Sequence, residues 1–316
     1  MSNTSKNYSF FPPFSSSHLW VLFGFSVFYL TWNTLVIGIR QDHFFFWGMV
    51  TVLLSLHTWT RKFAYYFVFF IIFWIIYDSM RAFPNYLVND VHIIQPYEIE
   101  KLLFGISHQN GVWTLNEYLT LHQHEVLDFI TGLFYLTWVP VPLALAIYLF
   151  ITDKKMLLRF TAAYLFTNLV GFCVYYSYPA APPWYFERHG DVLLFNTLAD
   201  AAQLVRFDNL VGYPLFSNLY TKNSNVFAAI PSLHSAYPVV AFFYARKQKL
   251  FWPSIIILID ILGIWFSAVY SYHHYLLDVF IGLLCAIIAI FIFEQFVMKT
   301  KFSEILDRYM SFVDSE

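Results

Sequence analysis

Charge is what this sequence has least of. Asp, Glu, Lys and Arg make up 12% of its 316 residues, against 59% hydrophobic and 22% aromatic residues. A soluble chain of this length needs about twice that charge to cover its surface, so a soluble globular domain is excluded and a membrane protein is expected. The net charge of -2 leaves no basic patch for nucleic acid. Cysteine is also scarce: Cys173 and Cys285 both lie inside apolar runs, where they read as small buried hydrophobes rather than a disulfide or a metal pair. There is no internal repeat and no low-complexity segment. The stretch from Met1 to Ser17 is polar with one lysine, and the apolar run behind it lacks a small-residue cleavage site. A removable signal peptide is therefore not expected, and the first span should stay.

What the chain does have is apolar length. A membrane span takes roughly 17 to 25 apolar residues, and segments 18–39, 43–59, 62–80, 125–150, 157–178, 229–246, 251–271 and 273–297 qualify. The second is the weakest, being short and ending near His57. The expected fold is all-α, a polytopic membrane helical bundle of about eight transmembrane helices. Six of these helices would form the core; along the chain the parts would be a cytoplasmic tail over 1–17, transmembrane helices over 18–80, an outer-face interfacial segment over 81–124, the transmembrane core proper over 125–298 with an outer loop at 179–228, and a cytoplasmic tail over 299–316. Arg61-Lys62, Lys154-Lys155 with Arg159, Arg246-Lys247-Lys249 and Lys299-Lys301 fall at alternate junctions. The positive-inside rule then makes all four cytoplasmic and both long segments external.

That topology brings two histidine motifs to the outer face. One is Pro231-Ser232-Leu233-His234-Ser235; the other is Tyr270-Ser271-Tyr272-His273-His274-Tyr275-Leu276-Leu277-Asp278. An ionisable group at the mouth of an apolar run is costly and points to function. Pro231 suits a helix start, so Ser232, Leu233 and His234 would offer free backbone N–H groups and an imidazole to an anion. Asp278 lies four residues after His274, on the same helical face; its carboxylate can hold one imidazole proton and leave the other nitrogen as nucleophile. His273 has no such partner. The chemistry these residues suggest is in-line displacement at phosphorus. His274 attacks, His234 protonates the leaving alkoxide, and an alcohol then takes the group from the phosphohistidine.

Other histidines read differently. His18, His43, His57 and His108 fit ordinary interfacial residues, and His122 with His124, at i, i+2, do not share a helical face for a metal. By ligand type His234, His274 and Asp278 could hold zinc, but no second cluster supports that; no metal or dissociable cofactor is expected. Tyr178-Pro179-Ala180-Ala181-Pro182-Pro183-Trp184-Tyr185 is either a helix stop with an aromatic interfacial anchor or a substrate-lining stretch. Pro182, Trp184 and Tyr185, with Ser232 and Tyr270, are accordingly candidates for substrate contact. A phosphate also needs a cation. Arg81, Arg188 and Arg206 are external, and Arg81 is preferred because Asp78, three residues earlier, can hold its side chain.

The stretch from Ser267 to Asp278 resembles the last motif of the type 2 phosphatidic acid phosphatase superfamily, Ser-Arg, five residues, His, three residues, Asp. Pro231-Ser232-Leu233-His234 resembles the superfamily's Pro-Ser-Gly-His. The resemblance implies His274 as nucleophile, Asp278 as its partner and His234 as the acid. Two departures matter: Ala268 stands where that motif has arginine, and no Lys, six residues, Arg-Pro motif precedes the exit of the fifth span. Fewer cations suit a phosphodiester rather than a phosphate monoester, and hence transfer rather than hydrolysis. Pro-Ser-Leu-His, His-His-Tyr, two residues, Asp, and Ala180-Ala181-Pro182-Pro183-Trp184-Tyr185 are similar to fungal-type inositol phosphorylceramide synthases, the aureobasidin-resistance group. Tyr77-Asp78-Ser79-Met80-Arg81 and Glu100-Lys101-Leu102-Leu103-Phe104-Gly105 resemble that group less closely. The resemblance implies a phospholipid donor, phosphatidylinositol, and a ceramide-type lipid acceptor. The positive-inside assignment places the active site on the non-cytoplasmic face, periplasmic or lumenal, of an inner membrane if the source is bacterial. The competing readings are a lipid phosphate or diphosphate phosphatase and a non-catalytic lipid transporter or binding protein on the same bundle.

Overall fold

Apolar runs become helices here, and the residues between them set where each helix stops. The structure, a computed structural model, describes residues 16–108, 111–195, 197–222 and 225–315; most of the tail expected over 1–17 lies outside the described residues. Helix α1 (Ser16–Trp32) continues through a widened turn to Ile37 and ends at Gly38, whose φ of 92° suits a residue without Cβ. Helix α2 (Gln41–Leu56) stops at His57, which is extended. The His57 ring accepts the Trp59 N–H and so caps α3 (Thr58–Tyr66). Helix α4 (Val68–Ser79) follows after Phe67 with a bend of 56°.

Next comes a first connecting segment: α5 (Ile94–Phe104), a hairpin of β1 (Ile106–His108) and β2 (Gly111–Trp113) pairing Ile106 with Trp113, and α6 (Leu115–Thr120). Thr114 and Glu117 close a capping box at the start of α6. Helix α7 (Glu125–Leu136) bends by 41° into α8 (Pro140–Thr152), and α9 (Lys154–Ser177) starts from the Asp153 side-chain cap. A second connecting segment carries α10 (Pro183–His189), α11 (Val205–Val211) and α12 (Leu215–Tyr220). Helices α13 (Leu233–Lys247), α14 (Phe251–Tyr270), α15 (Leu276–Gln295) and α16 (Phe302–Ser315) complete the chain. Among the described residues the fold is thus nearly all-α, with one small hairpin that an all-helical reading leaves out.

Each of the eight apolar segments carries a helix, but eight spans do not follow. Among the described residues, four helices are long and apolar enough to cross a membrane, or up to six if each of the two bent pairs is one span. Helices α2 and α13, of 16 and 15 residues, fall short of the roughly 17 residues a span requires. Composition measures apolarity over a window, whereas His57 and the cap at Ser232 cut the helices shorter than the window.

Helix α13 sits inside the bundle, packed against α8, α9, α14 and α15. Ala236, Ala241 and Ala245 are fully buried along it, and small side chains let neighbouring helices approach closely. Leu258, Ile259 and Leu262 of α14, like Leu284, Ile288 and Phe291 of α15, point outward. So large an apolar surface fits lipid, not water, and the protein is an integral membrane protein. At one end Lys62 donates to the Asp314 carbonyl, Lys155 pairs with Asp307 at 2.6 Å, and Arg159 and Lys247 both grip Glu294. The stretch expected as a tail over 299–316 is in part the amphipathic α16, which buries Leu306 and Val313 against the bundle. Helix α13 runs from His234 to Lys247, so the histidines lie at the opposite end.

Candidate active site

Two approaches bring the motifs together. Gly282 of α15 has no Cβ, and one placed there would sit 2.3 Å from the Ser232 carbonyl oxygen; the start of α13 therefore lies directly on α15. The Ser232 N–H donates to the Asp278 carbonyl at 3.0 Å. Helix α13 begins at Leu233, with Ser232 as its cap, bonded through its hydroxyl to Ser235. Pro231 thus precedes the helix rather than starting it, and Ser232, fully buried, has committed both its N–H and its hydroxyl internally. Pro238 withholds the N–H that would bond the His234 carbonyl one turn earlier.

The second motif is a turn, not a helix. Helix α14 ends at Tyr270, and Tyr272 takes a left-handed φ of 63°, an uncommon conformation for a bulky residue. The N–H groups of His273 and His274 both donate to the Ala268 carbonyl, at 3.1 and 3.0 Å. His274 therefore precedes α15 and meets Asp278 across its first turn, with Nδ1 3.3 Å from Oδ2. The same Oδ2 accepts the Tyr275 N–H at 2.9 Å, while the buried Oδ1 has no partner among the described residues. The helical spacing read from the sequence reaches the right partner through a different local geometry. Burial pushes the His274 imidazole to a lower pKa than usual, which favours the uncharged ring.

His234 faces His274 with ring centroids 5.9 Å apart. Its Nδ1 lies 3.0 Å from the Tyr135 hydroxyl on α7, and its ring packs on Trp138 at 4.5 Å. His273 is occupied otherwise. It is stacked between Tyr135 and Tyr220, with centroids at 5.4 and 4.3 Å, and its Nε2 is 2.9 Å from the Ala201 carbonyl. Ala268 is fully buried in an apolar cluster with Tyr135, Phe207, Phe216 and Val279. A guanidinium there would be buried among apolar side chains.

The substrate candidates divide. Tyr270 is buried and donates to Asp128 at 2.7 Å; Asp128 in turn holds Arg206, which also reaches Gln123. Pro182 caps α10, the Trp184 N–H donates to the Tyr272 carbonyl, and the Tyr185 hydroxyl donates to Val192. Trp184 and Tyr185 are buried in a cluster with Phe227 and Tyr272. Residues of the α4–α7 segment and of the segment that follows α9 cover them. Arg188 spends both terminal nitrogens on Asp200. Arg81 donates to Asp78 through Nε at 3.0 Å, as its spacing predicts, and its terminal nitrogens have no partner among the described residues. Tyr77, four residues before Arg81, lies within electrostatic reach of Tyr220. His43, read as an ordinary interfacial residue, is instead buried with Nε2 2.8 Å from Asp78, which Arg40 also engages. Among the described residues no group of three His, Cys, Asp or Glu side chains is arranged for a metal ion.

Sequence reasoning missed Tyr135, Asp128, Glu100 and Asn116. None has a local pattern; polar side chains inside apolar or interfacial segments were the signal that could have found them.

Residues 107–292 match the PAP2 superfamily. The chain is 42% identical over 280 residues to the phosphoinositol dihydroceramide synthase of Bacteroides thetaiotaomicron, covering 88% of this chain and 92% of that protein. It is 28% identical over 203 residues to the inositol phosphorylceramide synthase of Candida albicans, covering 62% of this chain and 40% of that protein. With the inositol phosphorylceramide synthase catalytic subunit of Schizosaccharomyces pombe it shares 26% over 240 residues, 71% of this chain and 52% of that protein. The chain thus spans about half or less of these fungal relatives. No solved structure matches it.

Proposed function

The chain belongs to the PAP2 superfamily, and from that premise we propose that it transfers phosphoinositol from phosphatidylinositol to a ceramide-type lipid. The observation that carries this is the opposed pair of imidazoles, His274 backed by Asp278 and His234 facing it. His274 attacks phosphorus through Nε2 while Asp278 holds the proton on Nδ1. The P–O bond to diacylglycerol breaks, and His234 gives its proton to the departing alkoxide. In the second half, His234 takes the proton of the acceptor's primary hydroxyl, whose oxygen displaces His274 from phosphorus. Each histidine ends as it began, and no water is consumed.

Arg81 is the cation for the phosphodiester, its Nε held by Asp78 and its terminal nitrogens left for phosphate oxygens. The buried Ala268 favours a singly charged diester over a monoester, since no cation stands there. Ser232, Tyr270, Pro182, Trp184 and Tyr185 shape the pocket through their internal bonds. The name of the bacterial relative favours dihydroceramide as acceptor. The site opens on the non-cytoplasmic face, opposite the basic end of the bundle, which in a bacterium is the periplasmic face of the inner membrane.

Purified protein given phosphatidylinositol and dihydroceramide should produce a phosphoinositol-bearing sphingolipid and diacylglycerol in equal amounts. Inorganic phosphate released from phosphatidic acid, with no sphingolipid product, would replace this reading with a phosphatase.

A further inference from the structure

The first connecting segment buries two polar side chains whose partners are all main chain, and all in or beside the turn that carries His274. Asn116 of α6 uses Nδ2 to reach the carbonyl oxygens of Val269, at 2.8 Å, and of His274, at 3.0 Å. Glu100 of α5 accepts the N–H groups of Leu276 and Leu277 at 3.1 and 2.9 Å. Both side chains are fully buried. The two N–H groups belong to the first turn of α15, where no helical acceptor exists. The cap position itself is Tyr275, a residue that does not supply the short side-chain oxygen such positions favour.

Glu100 is an expensive cap. Among the described residues no lysine or arginine pairs with it, and burial, opposed by its two backbone bonds and reinforced by Asp278, pushes its carboxyl up to about 7. A serine at the cap position would satisfy part of the helix end without burying a carboxylate. The arrangement has a second consequence: the carbonyl of His274 and the first turn bearing Asp278 are each held from outside the motif.

We propose that Glu100 and Asn116 are positioning residues, clamping the main chain on both sides of His274 so that its Nδ1 stays on Asp278 and its Nε2 stays aimed at phosphorus. Neither touches substrate. The inference rests on the reading of His274 as nucleophile.

The test uses full-length purified protein with phosphatidylinositol and dihydroceramide, comparing wild type, Glu100→Gln, Asn116→Ala and His274→Ala. Glutamine keeps the shape, removes a buried charge and so is cheaper to bury; it offers one acceptor where two are needed. Glu100→Gln should melt no lower than wild type and keep its KM for both lipids, yet lose about tenfold to a hundredfold in kcat, the scale of a small misplacement of reacting groups. Asn116→Ala, with kcat referred to protein that elutes as folded enzyme, should lose kcat without a change in KM. An unchanged kcat in Glu100→Gln, or a loss matched by loss of folded protein, overturns the clamp. If His274→Ala stays active, the nucleophile assignment falls instead; if it is inactive while Glu100→Gln turns over normally, the clamp alone falls.

Discussion

The Tyr135 hydroxyl lies 3.0 Å from Nδ1 of His234, 99 positions along the chain, so the two histidines of the site have different backing. His274 has a carboxylate behind it and His234 a phenol. A carboxylate favours an imidazolium, whereas an uncharged phenol holds the ring in place without fixing its charge. That difference suits a group that must donate a proton in one half-reaction and accept one in the other. Tyr135→Phe removes the hydroxyl that meets His234, a neutral hydrogen bond worth about 1 kcal/mol, and kcat is expected to fall about fivefold to tenfold with the fold intact. Steady-state assays of both half-reactions, by diacylglycerol release and by sphingolipid formation, check this; an unchanged rate in both removes Tyr135 from the mechanism.

Removing the nucleophile should be far more severe. His274→Ala is expected to abolish transfer by several orders of magnitude, and Asp278→Asn, which leaves the ring in place without its carboxylate, by about a hundredfold or more. Acid-labile radiolabel from phosphoinositol-labelled donor should appear on the wild-type protein when acceptor is withheld, and should be absent from His274→Ala. Label persisting on that variant would place the covalent intermediate elsewhere.

Arg81 and Ala268 are opposite tests of how the phosphate is held. Arg81→Lys keeps the charge and loses the fork that binds two oxygens while Asp78 holds Nε; KM for phosphatidylinositol should rise about tenfold, and Arg81→Ala should cost more. Ala268→Arg restores the residue of the phosphatase motif, yet position 268 is fully buried in the apolar cluster that contains Tyr135, Phe207 and Phe216. Burying an unpaired guanidinium costs several kcal/mol, so this variant should unfold at lower temperature and gain no activity on phosphatidic acid. A stable, phosphatase-active Ala268→Arg would contradict the account of that position.

Glu100 also makes stability depend on pH. Its ordinary value of 4.5 rises to about 7 in the fold, so the folded state holds the proton more tightly than the unfolded chain. The stability tied to the neutral carboxyl is present below about 4.5 and is lost as pH rises through 7, a change on the order of 3 kcal/mol. Melting curves at pH 5 and pH 8 should show wild type losing more stability than Glu100→Gln over that interval. Parallel behaviour of the two proteins would mean that Glu100 keeps its ordinary pKa.

Much of this protein is legible along the chain because the signals are local. Apolar windows mark the membrane helices, basic residues group at alternate junctions and come together at one end of the bundle, and four positions separate His274 from Asp278. Ser232 to Asp278 could be recognised for the same reason, each motif being contiguous. The number of spans was less legible: helix ends depend on caps such as His57 and Ser232 and on the bends after Tyr66 and Leu136, which an apolar window averages away.

The sequence alone therefore determined the class of protein, the two histidine motifs proposed to react and, through Ala268, the kind of phosphate expected. Only the tertiary structure decided what holds them: Tyr135 behind His234, Asn116 and Glu100 on the main chain around His274, and Arg206 with Tyr270 on Asp128. The Asn116 and Glu100 contacts join residues 158 and 177 positions apart. A hydrogen bond at such separation leaves no periodicity or spacing in the chain, because it exists only once the bundle has closed and water has left it.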